Sequence, residues 1–188
     1  MKQIKNKFKV FMPWQDEQEE QWLAKLSAEG WHLTRLKGIG SYEFEEGDPA
    51  GFTYRLDFQE VGKKDREDYQ SLFDDAGWEH IGEKSGWQYF RKQDQPDGAE
   101  EIFSDMSSKI AKYKRVLKNQ VVLLGFYFTF MIIFSGDLVR DPTRWFHYVV
   151  PGLYVLILWF FAVSYFKTAQ RIKELEKAGL PVEENGLG

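Results

Sequence analysis

The sequence contains no cysteine, only three histidines, and no charged side chain inside either of its two longest apolar runs. Without cysteine, the chain has no disulfide, no thiolate nucleophile and none of the zinc sites that use cysteine. His32, His80 and His147 each stand alone, without a second histidine or a carboxylate at metal-ligand spacing. We therefore expect no metal site and no cofactor, and we interpret His32 and His80 as half-exposed strand residues.

Known catalytic motifs are also missing. There is no Walker loop, no GxSxG elbow and no HExxH, and Gly38–Gly40 is a lone turn because no helix with a third glycine follows it. The acidic run Asp16–Glu20 and the pair Asp74-Asp75 do not match a calcium-loop spacing, so we interpret both as solvated helix faces. We predict a protein that is not an enzyme and has no catalytic residue.

Basic residues are too few in the first half of the chain for nucleic-acid binding. Residues 1–98 hold 14 basic and 20 acidic side chains, within a chain of 188 residues and net charge −4. Proteins that bind nucleic acid present basic patches to the phosphates, so we exclude this partner. The N-terminus MKQIKNKFKVF is basic but lacks an uninterrupted apolar core, and we do not expect a signal peptide.

The two apolar runs, residues 119–136 and 145–166, contain no Lys, Arg, Asp or Glu. A bilayer core of roughly 30 Å is crossed by about 20 mostly apolar helical residues. Two buried helices of a soluble core would normally keep a polar stripe, which these runs lack. We predict a two-span membrane hairpin, and the absence of ionisable residues within it argues against a transporter.

The basic residues that flank the runs predict their orientation. Lys109, Lys112, Lys114, Arg115 and Lys118 precede the first run, and Lys167, Arg171, Lys173 and Lys177 follow the second. The loop between the runs has two arginines offset by two aspartates. Because flanking Lys and Arg stay in the cytoplasm, we expect a multi-pass protein of the cell membrane with both termini cytoplasmic.

The first 95 residues show one pattern twice. Alternation over Ile4–Met12 indicates a strand, and a helix that buries Leu23 and Leu26 and two short strands follow it. The alternating stretch Phe52–Phe58 begins a second unit with the same order of elements. We predict a duplicated β-α-β-β domain that pairs into one antiparallel sheet with both helices on one face, an α+β fold of ferredoxin-like character.

A Gly-Trp pair ends the predicted helix in each unit. Gly30 and Gly77 can adopt the left-handed conformation that terminates a helix, and we interpret both as structural caps. Trp31 and Trp78 follow them and can fold back on the apolar face of the helix. We expect these pairs to act in folding and not in catalysis.

The predicted organisation has six segments. They are the duplicated domain (1–95), a linker with an amphipathic juxtamembrane helix (96–118), the first span (119–136), a short outer loop (137–144), the second span (145–166), and a cytoplasmic helix with a disordered tail (167–188). No helix breaker separates Ile102 from Val121, so we favour one continuous helix through the juxtamembrane segment and the first span.

The stretches AEGWHL, SYEFEEGDPAGFTYRLDF, YQSLFDDAGWEHI and WQYFRK, followed by two spans, resemble an uncharacterised bacterial family of unknown function that is common in Firmicutes. The residues that carry the resemblance are Gly30, Trp31, Tyr54, Arg55, Asp57, Gly77, Trp78 and Phe90. It covers residues 4–92, and it implies that members are often encoded near PadR-type transcription regulators. The resemblance brings no established activity, but it supports a cytoplasmic sensor or adaptor attached to the membrane.

Two functions fit these observations. One is a membrane-tethered sensor or adaptor whose domain binds a protein partner, such as a PadR-type regulator, with Arg55 and Asp57 as a recognition pair or as a plain surface ion pair. The other is a ligand-binding module that holds an apolar or cationic molecule in an aromatic cleft between the repeats. The residues that could line such a cleft are Trp14, Trp31, Tyr54, Trp78 and Trp87. The hairpin could also serve as the interface of a homo-oligomer or of a larger membrane complex.

Overall fold

The computed structural model describes residues 3–62, 64–94, 106–140 and 146–178. In chain order the elements are β1 (Ile4–Phe8), α1 (Asp16–Ala28), β2 (Trp31–Leu36), β3 (Ser41–Glu46), β4 (Phe52–Phe58), α2 (Arg66–Asp75), β5 (Glu79–Lys84), β6 (Trp87–Gln93), α3 (Met106–Arg140) and α4 (Phe146–Ala178). The α+β class is confirmed. Most of the predicted linker and the predicted disordered tail lie outside the described residues.

The strands form two antiparallel sheets of three strands each, in the orders β1-β3-β2 and β4-β6-β5. The two halves therefore share both the order of their elements and the order of their strands. The sheets come near each other at the edge strands β2 and β5, which carry a bulge at corresponding points, between Leu33 and Arg35 and between His80 and Gly82. Bulges twist a strand and interrupt its ladder, and this explains two sheets in place of the single sheet that we expected.

Helices α1 and α2 each end at a glycine with left-handed backbone. The φ angle is +85° at Gly30 and +78° at Gly77. Gly30 also packs against backbone, since a Cβ atom there would lie 2.8 Å from the carbonyl oxygen of Gly47. At Gly77 a Cβ atom would meet only the side chain of Lys92, at 3.5 Å. The two caps are alike in conformation but differ in how tightly they are enclosed.

Two hydrophobic clusters cover the two faces of the second sheet. The larger one lies where α1 packs against β2 and β4, and it consists of Leu23, Leu26, Leu33, Tyr42, Phe44, Tyr54, Leu56 and Tyr89. The smaller one joins Phe73 of α2 to Trp78 and Phe90, with the rings of Phe73 and Phe90 stacked at 4.2 Å. Because Tyr89 and Phe90 are successive residues of β6 in different clusters, this sheet is buried on both sides.

The chain divides into two compact units, Met1–Lys112 and Tyr113–Gly188. Helices α3 and α4 contain stretches long and apolar enough to cross a membrane, Ser107–Ile133 and Val149–Ala178. From Met106, α3 is one continuous helix through the first run, whereas residues 95–105 lie outside the described residues. The helix continues to Arg140, so residues 137–140 of the predicted outer loop are helical, and residues 141–145 lie outside the described residues.

Two polar contacts join α3 to α4 within the second unit. Gln120 Nε2 donates to Ser164 Oγ at 2.8 Å, and the Tyr127 hydroxyl donates to the carbonyl oxygen of Tyr154 at 2.8 Å. Pro151 lies inside α4 without ending it. Such side-chain hydrogen bonds hold neighbouring helices together where no water competes.

Candidate functional site

A cavity of about 240 Å³ lies between the two halves of the first unit. It is lined by Val10, Phe11, Met12, Pro13, Asp16, Glu19, Ile39, Gly40, Tyr42, Leu56, Lys84, Ser85, Trp87 and Tyr89. Most of the wall is apolar or aromatic, and two carboxylates, one ammonium and two phenols supply polar groups. Ligand pockets usually measure about 300–1,000 Å³, so this cavity is below the usual range and suits only a ligand smaller than a drug-sized molecule.

Three acidic side chains of α1 point inward. Asp16, Glu19 and Glu20 have exposed fractions of only 2, 6 and 7%. Our interpretation of this run as a solvated face is therefore wrong for all three, although Glu17 is exposed. Their spacing of i, i+3 and i+4 places them on one helix face, which continues to the buried Leu23. Extending the apolar stripe backwards from Leu23 would have identified them.

Glu19 is the centre of a polar network on the cavity wall. Its Oε1 atom accepts hydrogen bonds from the hydroxyls of Tyr42 at 2.6 Å and Tyr89 at 2.7 Å. Burial raises the pKa of both tyrosines and the Glu19 carboxylate raises them further, so both phenols remain donors at neutral pH. Among the described residues no donor reaches the other oxygen, Oε2. Glu19 thus has one saturated oxygen and one that a ligand can use.

Lys84 supplies the positive charge of the cavity wall. Its Nζ atom donates to the Tyr42 hydroxyl at 2.9 Å and lies 3.7 Å from Glu19 Oε1. The ammonium also sits over the Tyr42 ring, 4.1 Å from the centroid, in cation–π geometry. Burial lowers the pKa of Lys84, and the nearby Glu19 carboxylate opposes that shift.

Glu20 does not line the cavity itself; it contacts β4. It accepts a hydrogen bond from the backbone N–H of Leu56 at 2.7 Å, and Arg55 Nη1 lies 3.4 Å from its other oxygen. Burial raises the pKa of Glu20 to about 7, although Lys112 and Arg55 lower it and Asp16 raises it. This carboxyl therefore changes protonation near neutral pH.

Asp16 joins the cavity wall to the start of α3. Lys112 Nζ donates to Asp16 Oδ2 at 2.6 Å and to the carbonyl oxygen of Leu56 at 3.3 Å. Both side chains are almost fully buried within the first unit. We had assigned Lys112 only to the basic residues before the first span. Nothing in the local pattern distinguishes it from its neighbours, so the sequence carried no signal for this contact.

The aromatic residues that we expected in a cleft occupy different places. Of the five, only Trp87 lines the cavity. Tyr54 is buried, with its hydroxyl 2.8 Å from Ser27 Oγ, and Trp78 is buried in the smaller cluster. Trp14 and Trp31 are half-buried and lie outside the lining. A cavity is present, but Phe11, Tyr42 and Tyr89 form most of its aromatic wall.

Arg55 and Asp57 make contacts with helices. Arg55 pairs with Glu20 of α1, whereas Asp57 accepts a hydrogen bond from the Tyr69 hydroxyl of α2 at 2.9 Å. Asp57 is only 4% exposed, so our interpretation of the two as a surface pair is wrong for this residue. The polar residues of β4 led us to expect a solvent-exposed face, but Tyr69 of α2 contacts Asp57 on that face.

The two described histidines are half-exposed, as we expected. His32 Nε2 lies 2.9 Å from the carbonyl oxygen of Asp48, and His80 lies between the side-chain amides of Gln70 and Gln88, both at 2.9 Å. In the described part of the chain, no three His, Asp or Glu side chains converge as a metal site would require. The partners of the buried carboxylates described above are lysine, arginine, tyrosine and backbone groups.

Residues 15–126 match a family model described as "Protein of unknown function (DUF2812)". The match covers more than half of the chain, so the chain belongs to this family. It begins after β1 and includes α1, both sheets except β1, and α3 through Phe126. Comparison with curated proteins and with solved structures found no match.

Proposed function

We propose that this member of the DUF2812 family is a non-enzymatic sensor, attached to the membrane by two spans, that holds a small molecule in the cavity of its cytoplasmic domain. The observation that carries the proposal is Glu19, which lines the cavity and has an Oε2 atom that no donor among the described residues reaches. A largely buried carboxylate of this kind favours a ligand that brings a donor or a positive charge. The rings of Phe11 and Trp87 favour an apolar body.

The two long helices support the membrane attachment. A core helix of a soluble protein would be mostly buried, but the apolar side chains of α3 and α4 are largely exposed, including Phe126, Ile132, Trp159 and Phe166. The flanking lysines and arginines favour cytoplasmic termini. Because the chain has no native cysteine, a single Ser71→Cys variant can test this orientation. We expect an impermeant maleimide to label it only after the cells are lysed; labelling of intact cells would contradict the orientation.

A sensor also needs a route from its ligand to the rest of the chain. Asp16 lines the cavity and pairs with Lys112, which lies on the helix that contains the first candidate span. A positively charged ligand group near Asp16 competes with Lys112 for the same carboxylate. This ion pair is the element through which we expect occupancy of the cavity to act on α3.

Calorimetric titration of the full-length protein with 2-phenylethylamine tests the ligand site. We expect saturable binding that Glu19→Gln weakens about tenfold or more, because the ligand ammonium loses a charged acceptor. Glu17→Gln removes the same charge from an exposed position of α1 and serves as the matched control. Equal binding by both variants would reject Glu19 as the ligand group.

A second candidate function, an adaptor for a protein partner, is favoured by an exposed apolar patch beside the cavity. Phe8 and Ile39 are 77% and 79% exposed, and Phe8 and Val10 both pack closely around Gly40. Exposed apolar patches commonly mark docking surfaces. The resemblance implies that members are often encoded near PadR-type regulators, and we propose such a regulator as the partner. Crosslinking in native membranes should trap such a regulator on residues 1–95, and a Phe8→Ser/Ile39→Ser variant should lose it; recovery of the chain alone would favour a homo-oligomer.

A further inference from the structure

The polar groups of the cavity carry both signs of charge, close together. Lys84 Nζ lies 3.7 Å from Glu19 Oε1 on the wall. This distance is too long for a direct hydrogen bond but short enough for the two charges to act on one ligand. Within the described residues each is partly used: Glu19 Oε1 accepts from two tyrosines, and Lys84 donates one hydrogen bond, to Tyr42. Each therefore has capacity left for a ligand.

The capacity of Lys84 follows from its chemistry. An ammonium has three N–H donors, and in the part of the chain that the structure describes one hydrogen bond, to Tyr42, uses one of them, which leaves donors for a ligand. Its neighbour Ser85 also lines the cavity, and serine carries a hydroxyl that can donate a hydrogen bond. Lys84 and Ser85 could therefore both donate to a ligand carboxylate, and Glu19 Oε2 could accept from a ligand ammonium.

A ligand with only one charge would disturb this balance. A cation bound at Glu19 Oε2 shares that carboxylate with Lys84, and an anion bound at Lys84 shares that ammonium with Glu19, so in either case one buried charge loses its full counter-charge. Asp16 does not compensate for either loss, because it is already paired with Lys112 at 2.6 Å. A ligand that carries both charges satisfies both groups at once.

The geometry points to a zwitterion with an apolar body, in the class of α-amino acids with large apolar side chains, as the ligand of this cavity. Its ammonium binds Glu19 Oε2, its carboxylate binds Lys84 and Ser85, and its side chain packs against Phe11 and Trp87. An α-amino acid has its two charged groups on one carbon, which suits a pair of partners 3.7 Å apart. This inference rests on the proposed function and narrows the ligand that the function requires.

Calorimetry of the full-length protein in phosphatidylcholine nanodiscs tests it with three probes of one shape: L-phenylalanine, 2-phenylethylamine and 3-phenylpropanoate. We expect L-phenylalanine to bind about tenfold or more tightly than either singly charged probe. Lys84→Met should remove the preference over the amine, and Glu19→Gln should remove the preference over 3-phenylpropanoate. Lys25→Met, at an exposed position of α1, is the matched control and should change neither ratio.

The outcomes separate the two claims. If the amine binds as tightly as L-phenylalanine and Glu19→Gln weakens it, the zwitterion inference is overturned while the proposed cation-binding sensor stands. If none of the three probes binds at millimolar concentration, both are overturned. Circular dichroism of each variant at the titration temperature identifies any loss of binding that is due to unfolding.

Discussion

Lys112 and Asp16 form a buried ion pair across 96 residues of sequence, with Lys112 Nζ 2.6 Å from Asp16 Oδ2. The pair connects the first turn of α1 with the first turns of α3. Both partners are enclosed within the first unit, and Lys112 also donates to the backbone of Leu56. This contact makes the beginning of α3 part of the globular domain.

Lys112→Met should destabilise the protein by about 3–5 kcal/mol, because it removes the ammonium that pairs with the buried Asp16 carboxylate. Lys114→Met removes an exposed lysine of the same helix and should change stability by less than about 1 kcal/mol. Thermal unfolding followed by circular dichroism measures both. The double variant Asp16→Asn/Lys112→Met should be more stable than Lys112→Met alone; additive losses would show that the two residues do not interact.

Glu20 predicts a specific pH dependence of stability. Its pKa is about 7 in the folded protein and 4.5 in the unfolded chain. Between pH 4.5 and pH 7 the folded state therefore binds more protons than the unfolded state. The contribution of Glu20 to stability therefore decreases as pH rises from about 4.5 to 7 and is constant above, a total of about 3 kcal/mol. Glu20→Gln should remove this component. Chemical denaturation of both proteins at pH 5 and pH 8 should show the variant gaining relative to wild type at pH 8; a constant difference would contradict the prediction.

The two glycine caps should respond differently to alanine. Gly77→Ala should lower the free energy of unfolding by about 1–2 kcal/mol, the usual penalty of a left-handed residue with a Cβ atom. Gly30→Ala should lower it further, because the new Cβ atom would also lie 2.8 Å from the Gly47 carbonyl oxygen. Urea denaturation measures both variants. Equal losses would mean that the backbone near Gly47 yields without penalty.

Alanine variants of Trp78 and Trp87 should distinguish a residue that stabilises the fold from one that contacts the ligand. Trp78→Ala removes a buried ring from the smaller cluster and should cost about 3–5 kcal/mol of stability. Trp87 is half-buried on the cavity wall, so Trp87→Ala should cost less and instead weaken L-phenylalanine binding. Thermal melting and calorimetry on the same preparations compare the two effects. Unchanged binding by Trp87→Ala would place the ligand away from this wall.

Much of the local structure was predictable because it depends on short-range patterns. The alternation of Phe52–Phe58 gave the bounds of β4, and the two glycines before tryptophan marked the ends of α1 and α2. The absence of a helix breaker predicted that α3 continues through its basic segment. Strand alternation, helix periodicity and the absence of breakers are properties of neighbouring residues, and the sequence displays them directly.

The location of the cavity between the two halves was predictable, but most of the residues that line it were not. A duplicated domain with many aromatic residues indicated a cleft between its halves, yet only Trp87 of the expected rings lines it. Which strand faces meet depends on the bulges in β2 and β5 and on the position of α1 against both halves. These features arise from contacts between distant segments, which periodicity cannot reveal.

The class of the fold, the order of its elements and the two long apolar helices could be predicted before folding, because each depends on composition and spacing along the chain. The inward position of Asp16, Glu19 and Glu20, and the contact of Lys112 with Asp16, depend on how distant segments pack together. An acidic helical turn is compatible with water or with a buried cation, and the choice depends on what the rest of the chain brings against it. Here β3 supplies Tyr42, the second half of the domain supplies Arg55, Lys84 and Tyr89, and the start of α3 supplies Lys112, which together make burial of those carboxylates possible.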